Sequence, residues 1–139
     1  MKMNKSYITD DYLDTQKLGE SFSETIDQGN IILLYGDLGS GKTTFIKGIL
    51  KGFNFSGEVT SPTFSLINEY EADKKVIHID CYRETEIKRW INIGIEDYFN
   101  SSDIVIIEWP EILEPIIPSN ATKIELNHID DNKREIIFL

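Results

Sequence analysis

A chain of 139 residues can bury a real core as a single domain, 1–139, and leaves no room for a separate substrate domain. Its 24 acidic against 14 basic residues give a formal net charge of −10, which argues against extensive direct gripping of nucleic acid, because phosphate backbones need clustered Lys and Arg. A single cysteine excludes an internal disulfide, no run reaches transmembrane length, and Met1-Lys2-Met3-Asn4-Lys5 lacks the apolar stretch of a secretory signal, so a soluble cytoplasmic protein is expected.

In chain order, Thr9 or Asp10 is placed to cap a first helix whose apolar positions Leu18, Phe22 and Ile26 fall four apart, and Gly29-Asn30 ends it. Ile31 to Tyr35 is an apolar run that reads as a buried strand and leads straight into Gly36-Asp37-Leu38-Gly39-Ser40-Gly41-Lys42-Thr43. Phe45, Ile46, Ile49 and Leu50 then repeat with helical period until Gly52. Phe53 to Gly57 reads as a loop and Val59 to Thr63 as an irregular segment broken by Pro62. Phe64 to Tyr70 and Val76 to Asp80, joined by a polar turn, predict a hairpin and hence a mixed sheet. Glu84 to Phe99 is helical with a break near Gly94, and Ile104 to Ile107 is a central strand covered on both faces. Glu111 to Ile117 reads as a short helix or turn, and Thr122 to His128 and Glu135 to Leu139 as the last strands. The expected fold class is α/β, a three-layer sandwich around a mixed central sheet.

The glycines of the 36–43 segment let the backbone turn so tightly that successive N–H groups point inward, and the positive end of the following helix completes an anion cradle. Strand, glycine loop and helix in that order predict a P-loop that binds a nucleoside triphosphate. Asp37, Leu38, Gly39, Ser40, Gly41, Lys42, Thr43 and Thr44 form the candidate cofactor-binding set. Lys42, expected to be exposed where loop meets helix, reaches the β- and γ-phosphates, and the Thr43 hydroxyl ligates Mg²⁺. From composition alone the specified positions coincide on the order of once in a couple of hundred chains of this size. It is therefore the flanking strand and helix that separate this loop from an ordinary glycine turn.

Mg²⁺ in such a site needs an acid at the carboxyl end of a neighbouring buried strand. Glu108 follows four consecutive apolar residues and is assigned to the metal; Asp80, after Val76-Ile77-His78-Ile79, is the alternative ligand or orients the attacking water. Either could instead cap a nearby helix. His78 and His128 lack metal-ligand spacing and read as ordinary side chains with local hydrogen bonds. Cys81 reads as a half-buried strand residue, Trp90 as helix packing, and Trp109 as either core or a base-stacking platform.

Thr15-Gln16-Lys17-Leu18-Gly19, the loop GDLGSGKTTF from Gly36 to Phe45, Ser61-Pro62-Thr63-Phe64, His78-Ile79-Asp80-Cys81-Tyr82-Arg83 and Glu108-Trp109-Pro110 follow one another in an order that spans nearly the whole chain. This order resembles the bacterial TsaE family, small P-loop ATPases of tRNA threonylcarbamoyladenosine biosynthesis. The segments are similar to its first-helix pattern, phosphate loop, switch-like segment, HxDxYR element and post-strand motif. The resemblance implies a P-loop NTPase-like fold with ATP and Mg²⁺ as cofactors, Thr43 and Glu108 on the metal, and catalytic roles for Lys42, Glu108 and Asp80, the last near the γ-phosphate. It also implies that Thr60 to Thr63 moves with nucleotide state and that Arg134 lies near the nucleotide. Ser40 stands where the family commonly has alanine, a small-for-small change. The implied partner is a TsaB–TsaD assembly that transfers a threonylcarbamoyl group to tRNA, so that this chain meets tRNA only indirectly or weakly.

Three other readings compete. A small-molecule kinase usually closes an arginine-rich lid over its substrate, whereas Arg83, Arg89 and Arg134 are the only arginines here. A GTP switch would use an NKxD box, and Asn132-Lys133-Arg134-Glu135 ends in Glu and precedes a strand. A nucleotide-sensing module without turnover would share every binding residue and differ at Asp80. With no in-built arginine finger unless Arg83 folds inward, weak basal and partner-stimulated hydrolysis is expected.

Overall fold

The computed structural model describes residues 5–60, 62 and 66–139. Among them the strands are β1 (Lys5–Thr9), β2 (Ile31–Tyr35), β3 (Ile67–Tyr70), β4 (Val76–Asp80), β5 (Ile104–Glu108), β6 (Thr122–His128) and β7 (Arg134–Phe138). The helices are α1 (Tyr12–Ser23), α2 (Lys42–Gly52), α3 (Ile87–Asn92) and α4 (Ile95–Phe99), and a 3₁₀ segment covers Pro110–Ile116. One mixed sheet has the order β1-β7-β6-β2-β5-β4-β3. Its centre is parallel, with β2 paired to both β5 and β6 and β4 paired to β5. Its edges are antiparallel.

The continuous apolar runs of β2 and β5 are explained by cover on both faces. Ile32, Leu34, Val76, Ile104 and Ile106 pack on one side with Phe22 of α1 and Phe45, Ile46 and Ile49 of α2. Ile31, Leu33, Ile77, Ile79, Val105 and Ile107 pack on the other with Trp90, Ile95, Phe99 and Leu113. These are the three layers that the sequence predicts. The strand period of two puts Val76, His78 and Asp80 on the same face as Ile104, Ile106 and Glu108, which is the face that α2 covers. The two strand-end carboxylates and the start of α2 are thereby brought to one edge of one layer.

Helices α1 and α2 meet at very short range. A Cβ on Gly19 would lie 2.3 Å from the Phe45 carbonyl oxygen, and one on Gly48 only 2.0 Å from that of Gln16. These glycines let the backbones touch and fix the helix that carries the loop lysine.

Several boundaries differ from expectation. Asp11, not Thr9 or Asp10, caps α1, its side chain accepting the Asp14 N–H at 2.9 Å. The helix stops at Ser23, well before Gly29, where the Ser23 and Thr25 hydroxyls donate to the Glu20 and Phe22 carbonyls. Residues 5–9, which carried no expected element, form the edge strand β1 on β7. Strand β3 starts at Ile67; of the expected earlier start, Phe64 and Ser65 lie outside the described residues, and Leu66 bounds the strand in a left-handed conformation, φ 66°. No helix among the described residues is long and apolar enough to cross a membrane.

Candidate functional site

The loop between β2 and α2 is built around close backbone approach. A Cβ on Gly36 would sit 2.4 Å from the Leu126 carbonyl oxygen of β6, so the strand can leave the sheet there only as glycine. Gly41, the residue before α2, has φ 99° and supplies no side-chain cap. No side chain of Gly41 therefore stands between the start of α2 and an anion in the loop. The Ser40 N–H donates to the Asp37 carbonyl at 3.1 Å. Ser40 Oγ is buried inside the loop and has no hydrogen-bond partner among the described residues.

Lys42 departs from the expectation of an exposed side chain and is only 6% exposed. Its Nζ donates to the Gly36 carbonyl and lies 4.0 Å from the centroid of the Trp109 ring. Burial lowers its pKa from the ordinary lysine value, while the charges of Glu108 and then Asp80 pull it back up. Trp109 itself is left-handed, φ 54°, at the start of the 3₁₀ segment, and packs against Tyr82 with centroids 4.9 Å apart. Of the two roles open for Trp109, the structure supports the core one, since the half-buried ring packs against the second core cluster, and adds a ledge under the loop lysine.

Asp80 and Glu108 are register partners at the carboxyl ends of β4 and β5. Asp80 is partly exposed, and its Oδ1 accepts the Tyr82 N–H at 2.9 Å. Burial raises its pKa above the usual carboxylate value; the Tyr82 N–H opposes the shift and the neighbouring Glu108 charge adds to it. Glu108 is 3% exposed, and its Oε2 lies 2.7 Å from His78 Nε2.

Leu38 to Thr44, Asp80, Glu108 and Arg134 line a single cavity of about 530 Å³, together with Tyr82, Arg83 and Trp109. Asp37 does not line it and serves the turn through its carbonyl. Arg134 ties the last hairpin to the loop, with Nε donating to the Gly39 carbonyl at 3.1 Å and Nη1 to that of Asp130 at 2.7 Å. On the far side of Gly41, Thr44 and Arg134 a smaller cavity of about 170 Å³ reaches Tyr12, Thr15, Asp131 and Asn132. Cys81, expected to be half-buried, is 3% exposed, and burial pushes its thiol pKa well above the ordinary value, which disfavours the thiolate. Trp90 is fully buried as expected, with Nε1 donating to the Glu84 carbonyl at 3.0 Å.

Of the segment Thr60 to Thr63, Ser61 and Thr63 lie outside the described residues. Thr60 is clamped on both backbone groups by Tyr70, whose hydroxyl donates to the Thr60 carbonyl at 2.9 Å and accepts its N–H at 3.3 Å. Sequence reasoning missed this clamp and the contact of His78 with Glu108. The only signal for the latter was one polar residue inside the apolar run of β4.

A loop turned by three positive-φ glycines, a buried serine hydroxyl with no partner among the described residues and a lysine within electrostatic reach of two carboxylates fit a phosphate ester. No group of three or more His, Cys, Asp or Glu side chains converges on a metal position among the described residues. The donor set therefore suits Mg²⁺ that keeps waters and phosphate oxygens as most of its ligands, not a metal caged by protein alone.

Residues 9–136 match the family model described as "Threonylcarbamoyl adenosine biosynthesis protein TsaE". The chain is 38% identical to the tRNA threonylcarbamoyladenosine biosynthesis protein TsaE of Aquifex aeolicus, over 98% of this chain and 96% of that one. It is 35% identical to the protein of the same name from Haemophilus influenzae, over 94% of this chain and 86% of the relative. The crystal structure of YdiB from Bacillus subtilis superposes with a TM-score of 0.80 at 28% identity, covering 99% of this chain and 87% of that one.

Proposed function

Because the chain belongs to the TsaE family, we propose that it is a Mg²⁺-dependent ATPase of tRNA threonylcarbamoyladenosine biosynthesis that acts on a TsaB–TsaD assembly in the cytoplasm. The observation that carries the ATPase reading is the single cavity in which the glycine loop, Lys42, Thr43, Asp80 and Glu108 meet. Residues 38–44 would bind the phosphates, and Thr43 with Glu108 would hold Mg²⁺. When bound, ATP supplies the transferable phosphoryl group and Mg²⁺ the charge that neutralises it.

The remaining steps belong to the chain. Lys42 exchanges the Gly36 carbonyl and the Trp109 face for phosphate oxygens, which is favourable because burial penalises a cation that has few acceptors. Asp80 has Oδ1 fixed by the Tyr82 N–H, leaving Oδ2 to orient a water and take its proton. Its raised pKa makes it a better base than a solvated aspartate. Arg134 braces the loop through Gly39, and the smaller cavity beside Tyr12, which shares Gly41, Thr44 and Arg134 with the main one, would seat the adenine. Arg83 lines the cavity and no ion pair among the described residues holds it at the centre, in keeping with weak turnover until a partner completes the site.

The test is phosphate release from Mg·ATP by the purified chain with and without a TsaB–TsaD pair, with Lys42→Ala as control. Stimulation of the wild type alone is expected. Phosphate transferred to an added metabolite, or no stimulation despite complex formation, would favour the kinase or sensing-module readings.

A further inference from the structure

We infer that His78 is a positioning residue for the metal site, holding the Glu108 carboxylate in the orientation from which it receives Mg²⁺. The inference rests on the proposed assignment of Glu108 as a metal ligand. His78 is fully buried in the middle of β4, and its Nε2 lies 2.7 Å from Glu108 Oε2. A carboxylate only accepts, so Nε2 carries the hydrogen and donates it. In register His78 faces Ile106, and Glu108 lies two residues further along β5 on the same face, the diagonal neighbour within reach of a long side chain.

Core filling does not account for this residue. Among the described residues Nδ1 is buried without a hydrogen-bond partner, a cost that an apolar side chain of the same size would not carry. Among the described residues the one polar contact of the ring is the one to Glu108. Its orientation is set from the other side by the Tyr70 ring, 6.2 Å away and inclined by 28°, and Tyr70 is itself anchored by its hydroxyl on Thr60. The imidazole is thus held by stacking and spends its one bond on the cavity carboxylate. A carboxylate oriented by a buried donor loses fewer conformations on taking up a cation, and removal of such outer partners typically lowers metal affinity by about 10–100-fold.

The two amides of Asn and Gln separate this role from packing, since the Gln amide nitrogen falls near the place of Nε2 and the Asn amide nitrogen near that of Nδ1. ATP binding is measured by calorimetry at increasing Mg²⁺ and, in EDTA, without metal. His78→Asn and His78→Phe are expected to raise the Mg²⁺ midpoint about 10–100-fold while metal-free ATP affinity stays within about twofold of wild type. His78→Gln is expected to stay near wild type. In a Glu108→Gln background His78→Asn should add nothing further, because the effect passes through Glu108. If His78→Phe does not fold, the Asn and Gln pair decides the matter. A wild-type midpoint in His78→Asn, an equal shift in His78→Gln, or full additivity with Glu108→Gln overturns the inference while leaving the ligand assignment intact. An unmoved midpoint in Glu108→Gln alone overturns the assignment, and the inference with it.

Discussion

The carboxyl ends of β4 and β5 present the same chemistry in the same row of the sheet, yet their environments differ. Glu108 is nearly sealed and hydrogen-bonded to a buried imidazole, whereas Asp80 is partly open and tied by one oxygen to a backbone N–H. Burial and the neighbouring charge raise the pKa of Asp80. Two carboxylates with unlike surroundings in one cavity are the usual means of dividing labour in a site. The proposed division gives the fixed carboxylate to the metal and the partly open one, whose pKa is raised, to water.

Replacing Asp80 by Asn gives the largest expected effect, because it removes the proton acceptor and keeps the Oδ1 contact to Tyr82. Hydrolysis should fall by about 100-fold or more with ATP affinity changed by no more than a few-fold, read by single-turnover phosphate release and calorimetry. Glu108→Gln should instead raise the Mg²⁺ requirement by at least about tenfold, read as the metal midpoint of ATP binding. Gly48→Ala, remote from both carboxylates, tests whether such effects could come from general loosening. Its Cβ would meet the Gln16 carbonyl at 2.0 Å, so stability should drop by about 1–3 kcal/mol in chemical denaturation, with the Mg²⁺ midpoint displaced less than in Glu108→Gln.

The smallest effect concerns stability without nucleotide. Because the folded-state pKa of Asp80 is raised, the unfolded chain ionises first, and stability is lost as pH rises through the window just above the ordinary carboxylate value. At neutral pH Asp80→Asn should therefore melt a few degrees higher than wild type. The gap should close as pH falls toward 4. A gap that widened on acidification would show that the folded carboxylate is stabilised instead.

The features that were legible in the sequence are local. Strand, loop and helix from Ile31 to Gly52 follow from apolar period and glycine placement, and the strand-end position of Asp80 and Glu108 follows from the runs before them. The features that were not legible depend on partners distant in the chain. Strand β1 exists by pairing with β7, Ser6 opposite Ile137, and residues 5–9 alone give little strand signal. Lys42 is buried because Trp109 adopts a left-handed backbone and turns its ring under the amine. His78 has its meaning only through a carboxylate on the neighbouring strand, thirty positions on. The cap of α1 fell at Asp11 within the run Thr9-Asp10-Asp11, where each side chain is capable of capping and tertiary packing chooses.

The most direct test of the divided labour is single-turnover phosphate release from ATP across a Mg²⁺ titration, run side by side on wild type, Asp80→Asn and Glu108→Gln. The predicted result is a collapsed plateau rate at an unchanged Mg²⁺ midpoint for Asp80→Asn, and a displaced midpoint for Glu108→Gln. Midpoints displaced equally in both variants would contradict it.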